Sequence, residues 1–150
     1  MKLMDQMEIS PRLFDRRDAE DTGPRTLIAE WLYRSRQERP GAEDSRLFGE
    51  PAWDMLLDLY VHQAKGLSTS ITGACIGSHA PPTTALRYVE LLHDQGWIEK
   101  IPDESDRRRS FLALTLTATR RLDRHFDQLL ERLAQITPDL FASLSLEKAS

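Results

Sequence analysis

Apolar residues recur at helical spacing in two stretches near the start of the chain. From Pro24 onward an apolar stripe predicts a helix that ends near Arg39-Pro40-Gly41, and its members are Leu27, Ile28, Trp31 and Leu32. A second helix is predicted after Glu50-Pro51 and ends at Lys65-Gly66. Its broad apolar face consists of Trp53, Leu56, Leu57, Tyr60 and Val61. This part of the chain is therefore expected to be helical and well packed.

The next stretch predicts two helices joined by a tight turn. A run of cap candidates precedes the short segment ITGACIG, and a turn at Ser78-His79-Ala80 leads to a helix that starts at Pro81-Pro82 and runs to Gly96. On this second helix the buried face is predicted to hold Ala85, Val89 and Leu92, and the outward side Thr83, Thr84, Arg87 and Tyr88. Such a pair, with polar residues exposed early in its second helix, is typical of a helix-turn-helix.

After Gly96 the pattern changes from helical to extended. WIEKI and SFLALTL each predict a strand, and the charged loop PDESDRRR between them completes a β-hairpin wing. A helix is predicted from Thr117 to about Thr137-Pro138, and DLFASLSLEKA predicts a last short helix. The fold class that follows is mainly α with a small β-hairpin wing, a winged helix-turn-helix.

The chain is expected to form one domain preceded by an arm. At 150 residues it has room for one ordinary core. The arm covers residues 1–23, and the domain covers 24–150, with the winged helix-turn-helix lobe over 49–117. Terminal helices over 24–48 and 118–150 are predicted to pair with a second copy, because more apolar residues lie there than one small domain can cover. These residues are Leu27, Ile28, Trp31 and Leu32 at one end and Leu140, Phe141, Leu144 and Leu146 at the other.

Charge is distributed unevenly, which matters more than the net value of −4. Residues 1–63 hold 9 Lys/Arg against 13 Asp/Glu, whereas residues 105–124 hold six Arg against two Asp. The basic residues of the second stretch follow or lie in the predicted wing. An acidic body with one basic patch is therefore compatible with a nucleic-acid partner.

The basic patch and the helix-turn-helix supply the candidate DNA contacts. In the wing, one guanidinium is predicted to enter an A·T-rich minor groove while its neighbours contact phosphate. Arg87 can fork to guanine or clamp a phosphate. The hydroxyls before the first helix of the pair are equally good phosphate contacts and helix caps. The predicted set is Ser68, Thr69, Ser70, Thr83, Thr84, Arg87, Tyr88, Arg107, Arg108 and Arg109.

Other chemistry is not indicated. Cys75 is expected to be a buried structural thiol, and a chain with one cysteine suits a reducing cytoplasm. The four histidines show no metal-ligand spacing, and no catalytic motif is present, so we expect no cofactor, no metal and no enzyme activity. Neither a secretory signal nor a membrane span is predicted. Three aromatic residues could line a ligand pocket or simply pack in the core: Trp31, Trp53 and Tyr60.

The order of elements and the string GWIEKIPDESDRRRSFLALT resemble the multiple antibiotic resistance regulator (MarR) family over roughly residues 24–146. The family motifs are matched by Gly96-Trp97, Asp106-Arg107-Arg108 and Leu114-Thr115, whereas Ala118 and Pro81-Pro82 depart from the usual pattern. The resemblance implies a triangular homodimer, with Asp106 orienting Arg108 or bracing the wing. Many relatives respond to small phenolic or other aromatic ligands.

The sequence thus predicts a sequence-specific, double-stranded DNA-binding transcriptional regulator. It is expected to be a homodimeric repressor that recognises a pseudo-palindromic operator and is modulated by a small aromatic effector. Two alternatives stay open. One is a winged-helix module that works through protein contacts without DNA, and the other is a carrier of small ligands.

Overall fold

The computed structural model describes residues 23–149. We number six helices and three strands in chain order: α1 (Pro24–Glu38), α2 (Ser45–Phe48), α3 (Pro51–Ala64), β1 (Thr69–Ser70), α4 (Ile71–Gly77), α5 (Pro82–Asp94), β2 (Ile98–Pro102), β3 (Ser110–Leu114) and α6 (Leu116–Ala149). Gly23 caps α1 through its carbonyl, which accepts the Leu27 N–H at 3.1 Å. The rest of the predicted arm lies outside the described residues.

Helix α3 is the centre of the core. Its residues 54–61 are all buried, including Met55, Leu57 and Leu59, which are fully inaccessible. Around it pack α1, α4, α5 and β3, and Phe126 of α6 completes the cluster. The broad apolar face and the close packing that the sequence predicted for this helix are both present in α3.

Helix α1 packs against both α3 and α6. Pro24 occupies its first turn, where the missing N–H costs no helical bond, and Ile28, Ala29 and Tyr33 face inward. Arg25 forks onto Asp127 of α6, with both nitrogen–oxygen distances at 2.8 Å. The two helices that begin and end the described chain are thereby joined.

The wing is part of a three-stranded antiparallel sheet with strand order β1-β3-β2. The predicted hairpin is present, with Ile98 opposite Leu114 and Pro102 opposite Ser110. The sequence pattern gave no sign of β1, which pairs Thr69 with Leu112. Two residues are too few to display an alternating pattern, so only the partner strand reveals this one.

Two predicted elements differ at their ends. The helix expected to stop near Thr137-Pro138 continues as a single 34-residue α6 with Pro138 inside it. Pro138 removes one N–H donor, but no glycine follows, and the residues on both sides are mostly good helix formers. Helix α2, within residues 24–48, was not predicted because it is a single turn capped by the Asp44 side chain. Within residues 23–149, no helix is both long and apolar enough to cross a membrane.

Candidate nucleic-acid interface

Helices α4 and α5 form the helix-turn-helix, and hydrogen bonds fix the turn between them. The Ser78 hydroxyl donates to the Cys75 carbonyl at 2.6 Å and accepts the Ala80 N–H at 3.3 Å. His79 adopts a left-handed backbone, with φ of 54°, which reverses the chain in few residues. The turn therefore holds α5 at a defined angle to α4.

Helix α5 divides into a buried and an outward face as the sequence predicted. Ala85, Val89 and Leu92 are buried, whereas Tyr88, which was predicted on the outward side, is half-buried because its ring packs partly against the core. Arg87 is exposed and has neither a hydrogen-bond nor an ion-pair partner among the described residues. Thr83 and Thr84 are exposed beside it, near the start of the helix. The outward side of α5 thus presents these three polar side chains together with the exposed Leu86 in its first half.

The three hydroxyl residues before α4 have different environments. Ser68 is exposed, whereas Ser70 caps α4 by accepting the Gly73 N–H at 3.0 Å. Thr69 is only 6% exposed because it pairs with β3, and its hydroxyl is enclosed. The predicted phosphate contact through the Thr69 side chain was wrong. The residue that was expected at the surface instead joins the wing to the start of the helix-turn-helix.

A buried carboxylate that the sequence analysis missed organises the wing tip. Asp103 accepts the N–H and the hydroxyl of Ser105 at 2.9 and 2.7 Å, and its other oxygen receives Arg109 Nε at 3.0 Å. These bonds, that of the Ser105 hydroxyl above all, hold the pKa of Asp103 below its ordinary value. The spacing Asp-x-Ser is a known turn signal and could have identified this residue.

Asp106 makes a second turn within the same loop. Its carboxylate accepts the Arg108 N–H at 3.0 Å, and its carbonyl accepts the Arg109 N–H at 3.1 Å. This is the geometry that a wing-orienting residue requires. The two aspartates together give the charged loop a defined backbone.

The three wing arginines fall into two groups. Arg107 and Arg108 are exposed and have no side-chain partner in residues 23–149. Arg109 is paired with Asp103, and its guanidinium lies 5.3 Å from the centre of the Phe111 ring. Arg109 therefore supports the frame of the wing, which differs from its predicted role as a free DNA contact.

The base of the wing is joined to α6 at Thr115. The Thr115 hydroxyl donates to the Gly96 carbonyl at 2.7 Å and accepts the Ala118 N–H at 3.1 Å. One turn further on, the Arg121 guanidinium lies 4.3 Å from the centre of the Trp97 ring, a cation–π contact. Arg120 and Arg124 are exposed on the same helix. The basic patch thus extends from the wing tip onto the start of α6.

Beneath the helix-turn-helix lies a polar joint, which we define as Tyr33, Asp58, His62, Gly77 and His79. The Tyr33 hydroxyl donates to the Gly77 carbonyl at 2.8 Å and lies 3.3 Å from His79 Nδ1. Burial raises the pKa of Tyr33 far above its ordinary value, and the Asp58 carboxylate adds to the shift. Helix α1 is therefore bonded directly to the turn that positions α5.

The carboxylate of Asp58 forms the second half of the joint. His62 Nδ1 lies 3.2 Å from Asp58 Oδ1 and 2.8 Å from the Asp58 carbonyl. Both neighbours are acceptors, so Nδ1 carries a proton, and the bond to the side chain raises the pKa of His62. A side chain at Gly77 would place its Cβ 2.4 Å from Asp58 Oδ2. Only glycine lets α4 approach this carboxylate.

The three candidate pocket residues do not form one group. The Tyr60 hydroxyl donates to Asp123 at 2.6 Å, and its ring packs edge-on against Phe126. Trp53 makes an edge contact with His125. In the part of the chain described, no ring contact connects Trp31 with either of them. Tyr60 and Trp53 pack against α6, while Trp31 is 48% exposed on α1.

No protein-family model and no curated protein matches the chain. Among solved structures, a mutant of MepR from S. aureus bound to an oligodeoxyribonucleotide is 18% identical, with a TM-score of 0.51, and the match covers 82% of this chain and 89% of that one. MepR, a transcription regulator of the Staphylococcus aureus multidrug efflux pump MepA, is 15% identical, with a TM-score of 0.48, covering 83% and 93%. PefR from Streptococcus agalactiae in complex with heme is 20% identical, with a TM-score of 0.45, covering 91% and 93%.

The fold is that of the MarR-family winged-helix regulators. The predicted fold class is confirmed, and these structural neighbours are regulators of the family that the wing sequence resembles. In this MarR-type fold, α4 and α5 are the helix-turn-helix, β2 and β3 with their loop are the wing, and α1 and α6 are the terminal helices.

Most of the apolar residues of the terminal helices that were predicted to pair with a second copy are exposed or half-buried. Phe141 is 62% exposed, and exposed positions also include Leu140, Leu144 and Leu146. Leu27 and Leu32 on α1 are half-buried. Ile28 was wrongly predicted, because at 7% exposure it belongs to the core of its own chain.

Proposed function

We propose that the chain is a sequence-specific regulator of transcription that binds double-stranded DNA as a homodimer. The observation that carries this proposal is the pairing of a free Arg87 on the outward face of α5 with a rigid wing whose Arg107 and Arg108 are unengaged. An exposed helix and a basic hairpin match the two groove contacts of winged proteins. The MepR mutant bound to an oligodeoxyribonucleotide, which has the same fold, supports a DNA partner.

The two sets of side chains suit different parts of the duplex. Arg87, with Thr83 and Thr84, projects from a helix and can reach base edges in the major groove. Arg107 and Arg108 project from a narrow loop and can reach the negative potential of a minor groove or its phosphates. Ser68 is available to phosphate at the start of the helix-turn-helix. Helix α5 therefore specifies the sequence, and the wing adds affinity.

The proposed dimer recognises a pseudo-palindrome, because two identical recognition helices related by a two-fold axis require equivalent half-sites. The expected separation of half-sites is about one helical turn, roughly 34–36 Å. We include repression in the proposal because a dimer on an operator blocks a promoter by occupancy alone. We also include a small aromatic effector, for which the half-exposed Trp31 on α1 is the first candidate contact.

The test is a titration of the purified protein against its selected operator at two salt concentrations. Arg108→Ala is expected to weaken binding to many sequences and to make the log–log salt slope shallower by about one unit. Arg87→Ala should cost about 1–3 kcal/mol on the operator and relax selectivity at one symmetric base-pair position.

Arg132→Ala is the matched control, since Arg132 is an exposed arginine about 24 Å along α6 from its start at 1.5 Å per residue. It should leave operator affinity nearly unchanged. A wild-type protein without salt-dependent affinity for any duplex would contradict the proposal and favour the protein-interaction module.

A further inference from the structure

An ion pair connects the wing to the recognition helix α5. Lys100 Nζ, on β2, lies 2.6 Å from Glu90 Oε1 on α5. The Lys100 side chain is about one-third exposed and the Glu90 side chain is mostly exposed. This bond is the main cause of a lowered pKa at Glu90. Each end of the pair thus belongs to a different DNA-facing element.

Glu90 lies on the outward side of α5, not on its flank. Positions 83, 87, 90 and 94 follow the helical spacing of i, i+4, i+7 and i+11, so they share one face. That face presents Arg87 to DNA, and Glu90 follows it by three residues. A carboxylate at this position repels phosphate unless a cation accompanies it.

Lys100 supplies that cation. The oxygen or nitrogen atoms of Glu90, His93 and Asp94 lie within 4.8 Å of one another, so the end of α5 is locally acidic. On β2, Glu99 points to the opposite face of the strand from Lys100, because side chains alternate. Glu99 is exposed and has no partner within residues 23–149. Lys100 is the one lysine or arginine of β2, and its ammonium group is paired with the Glu90 carboxylate.

We propose that Glu90 is a specificity-determining residue, which withholds Lys100 from phosphate and so lowers the affinity of the protein for arbitrary DNA. This inference rests on the proposed function. Binding to arbitrary sequences is almost wholly electrostatic, and each cation that contacts a phosphate adds about 0.9 to the salt slope. A lysine held against α5 makes no such contact. A released lysine has a flexible four-carbon stem that reaches a phosphate in any register.

The experiment measures affinity and salt slope on a duplex of arbitrary sequence and on the selected operator. Glu90→Gln should tighten binding to the arbitrary duplex roughly three- to tenfold and steepen its slope by about one unit. On the operator, register is set by base contacts, so the gain is expected to be smaller. Lys100→Ala alone should weaken binding to the arbitrary duplex, because it leaves Glu90 without its cation, whereas in the Glu90→Gln background it should remove the gain.

Glu99→Gln is the matched control. It makes the same change of charge at the residue directly before Lys100, and it leaves the Lys100–Glu90 ion pair intact. An equal gain with Glu99→Gln, or a gain in Glu90→Gln that survives Lys100→Ala, would overturn the inference, because general charge would then explain it. If the wild type binds the operator with salt dependence and Glu90→Gln changes nothing, only this inference fails. If the wild type binds no duplex, the proposed function fails and this inference falls with it.

Discussion

Gly77 is a residue at which the usual effect of a substitution should be reversed. Replacing an exposed helical glycine by alanine ordinarily stabilises a protein by up to about 1 kcal/mol. At Gly77 the added methyl group would meet the buried Asp58 carboxylate. We therefore expect Gly77→Ala to destabilise the fold by about 1–3 kcal/mol.

Urea unfolding followed by circular dichroism would measure this difference. Gly23→Ala is the control, because a Cβ at Gly23 has nothing within 4 Å and its φ of −62° suits alanine. Equal stabilities for the two variants would mean that α4 can move away from Asp58 without cost.

His62 should make stability depend on pH. Its bond to Asp58 raises its pKa in the folded state, against the opposing effect of burial. Protonated His62 therefore stabilises the fold, fully so below its unfolded pKa of about 6.5, and the contribution disappears as pH rises through the folded value. The stability difference between wild type and His62→Gln is expected to be larger at pH 5.5 than at pH 9. A difference that is constant across this range would contradict the pairing.

The joint also marks the limit of what residue types reveal. Tyr33 and Asp54 lie on helices that were correctly predicted, yet their partners are 18 to 46 residues away, at Arg36, Gly77 and His79. A sequence pattern identifies an apolar face, but it does not show that a buried carboxylate or hydroxyl on that face has a partner. The outward position of Arg87 needed only helical spacing, and it was predicted correctly.

Among the elements, α6 contains the most unusual residue. Pro138 has no N–H, so the carbonyl four residues earlier lacks its usual bond, and a proline in a helix interior costs up to roughly 3 kcal/mol. Pro138→Ala is expected to raise helicity at 222 nm and the midpoint of thermal unfolding. Pro82→Ala is the control, because Pro82 stands in the first turn of α5, where no helical bond is lost. Equal effects of the two substitutions would contradict this explanation.

Element prediction succeeded where patterns were long and failed where they were short. The helices α1, α3 and α5 and the β2–β3 hairpin each contain enough residues to display a period. Strand β1 and helix α2 have two and four residues; β1 depends on pairing with β3, and α2 is a single turn capped by Asp44. The predicted break in α6 followed the general rule for proline, which here was outweighed by its helix-forming neighbours.

At the scale of the whole molecule, the exposed apolar residues at the end of α6 are expected to pack against a second copy of the chain. Wild-type protein should scatter light as about twice 17.2 kDa. Phe141→Glu should shift it toward the monomer, because a buried, unpaired charge at a dimer interface is costly. Removing residues 138–150 should likewise abolish dimers and promote aggregation.

Leu67→Glu is the control for the dimer, since Leu67 is an exposed leucine that precedes β1 and lies outside α6. It should leave the mass unchanged. A wild-type mass of one chain at micromolar concentration would exclude the proposed assembly.

Thr115 has a consequence for the spacing of the operator. Its single hydroxyl bonds both the wing base, at Gly96, and the first turn of α6, at Ala118. In a dimer built on α6, each wing is thus attached to a rigid rod that contacts no base. The length and crossing angle of α6 then decide how many base pairs separate the two half-sites. The wings and recognition helices decide the base sequence of each half-site.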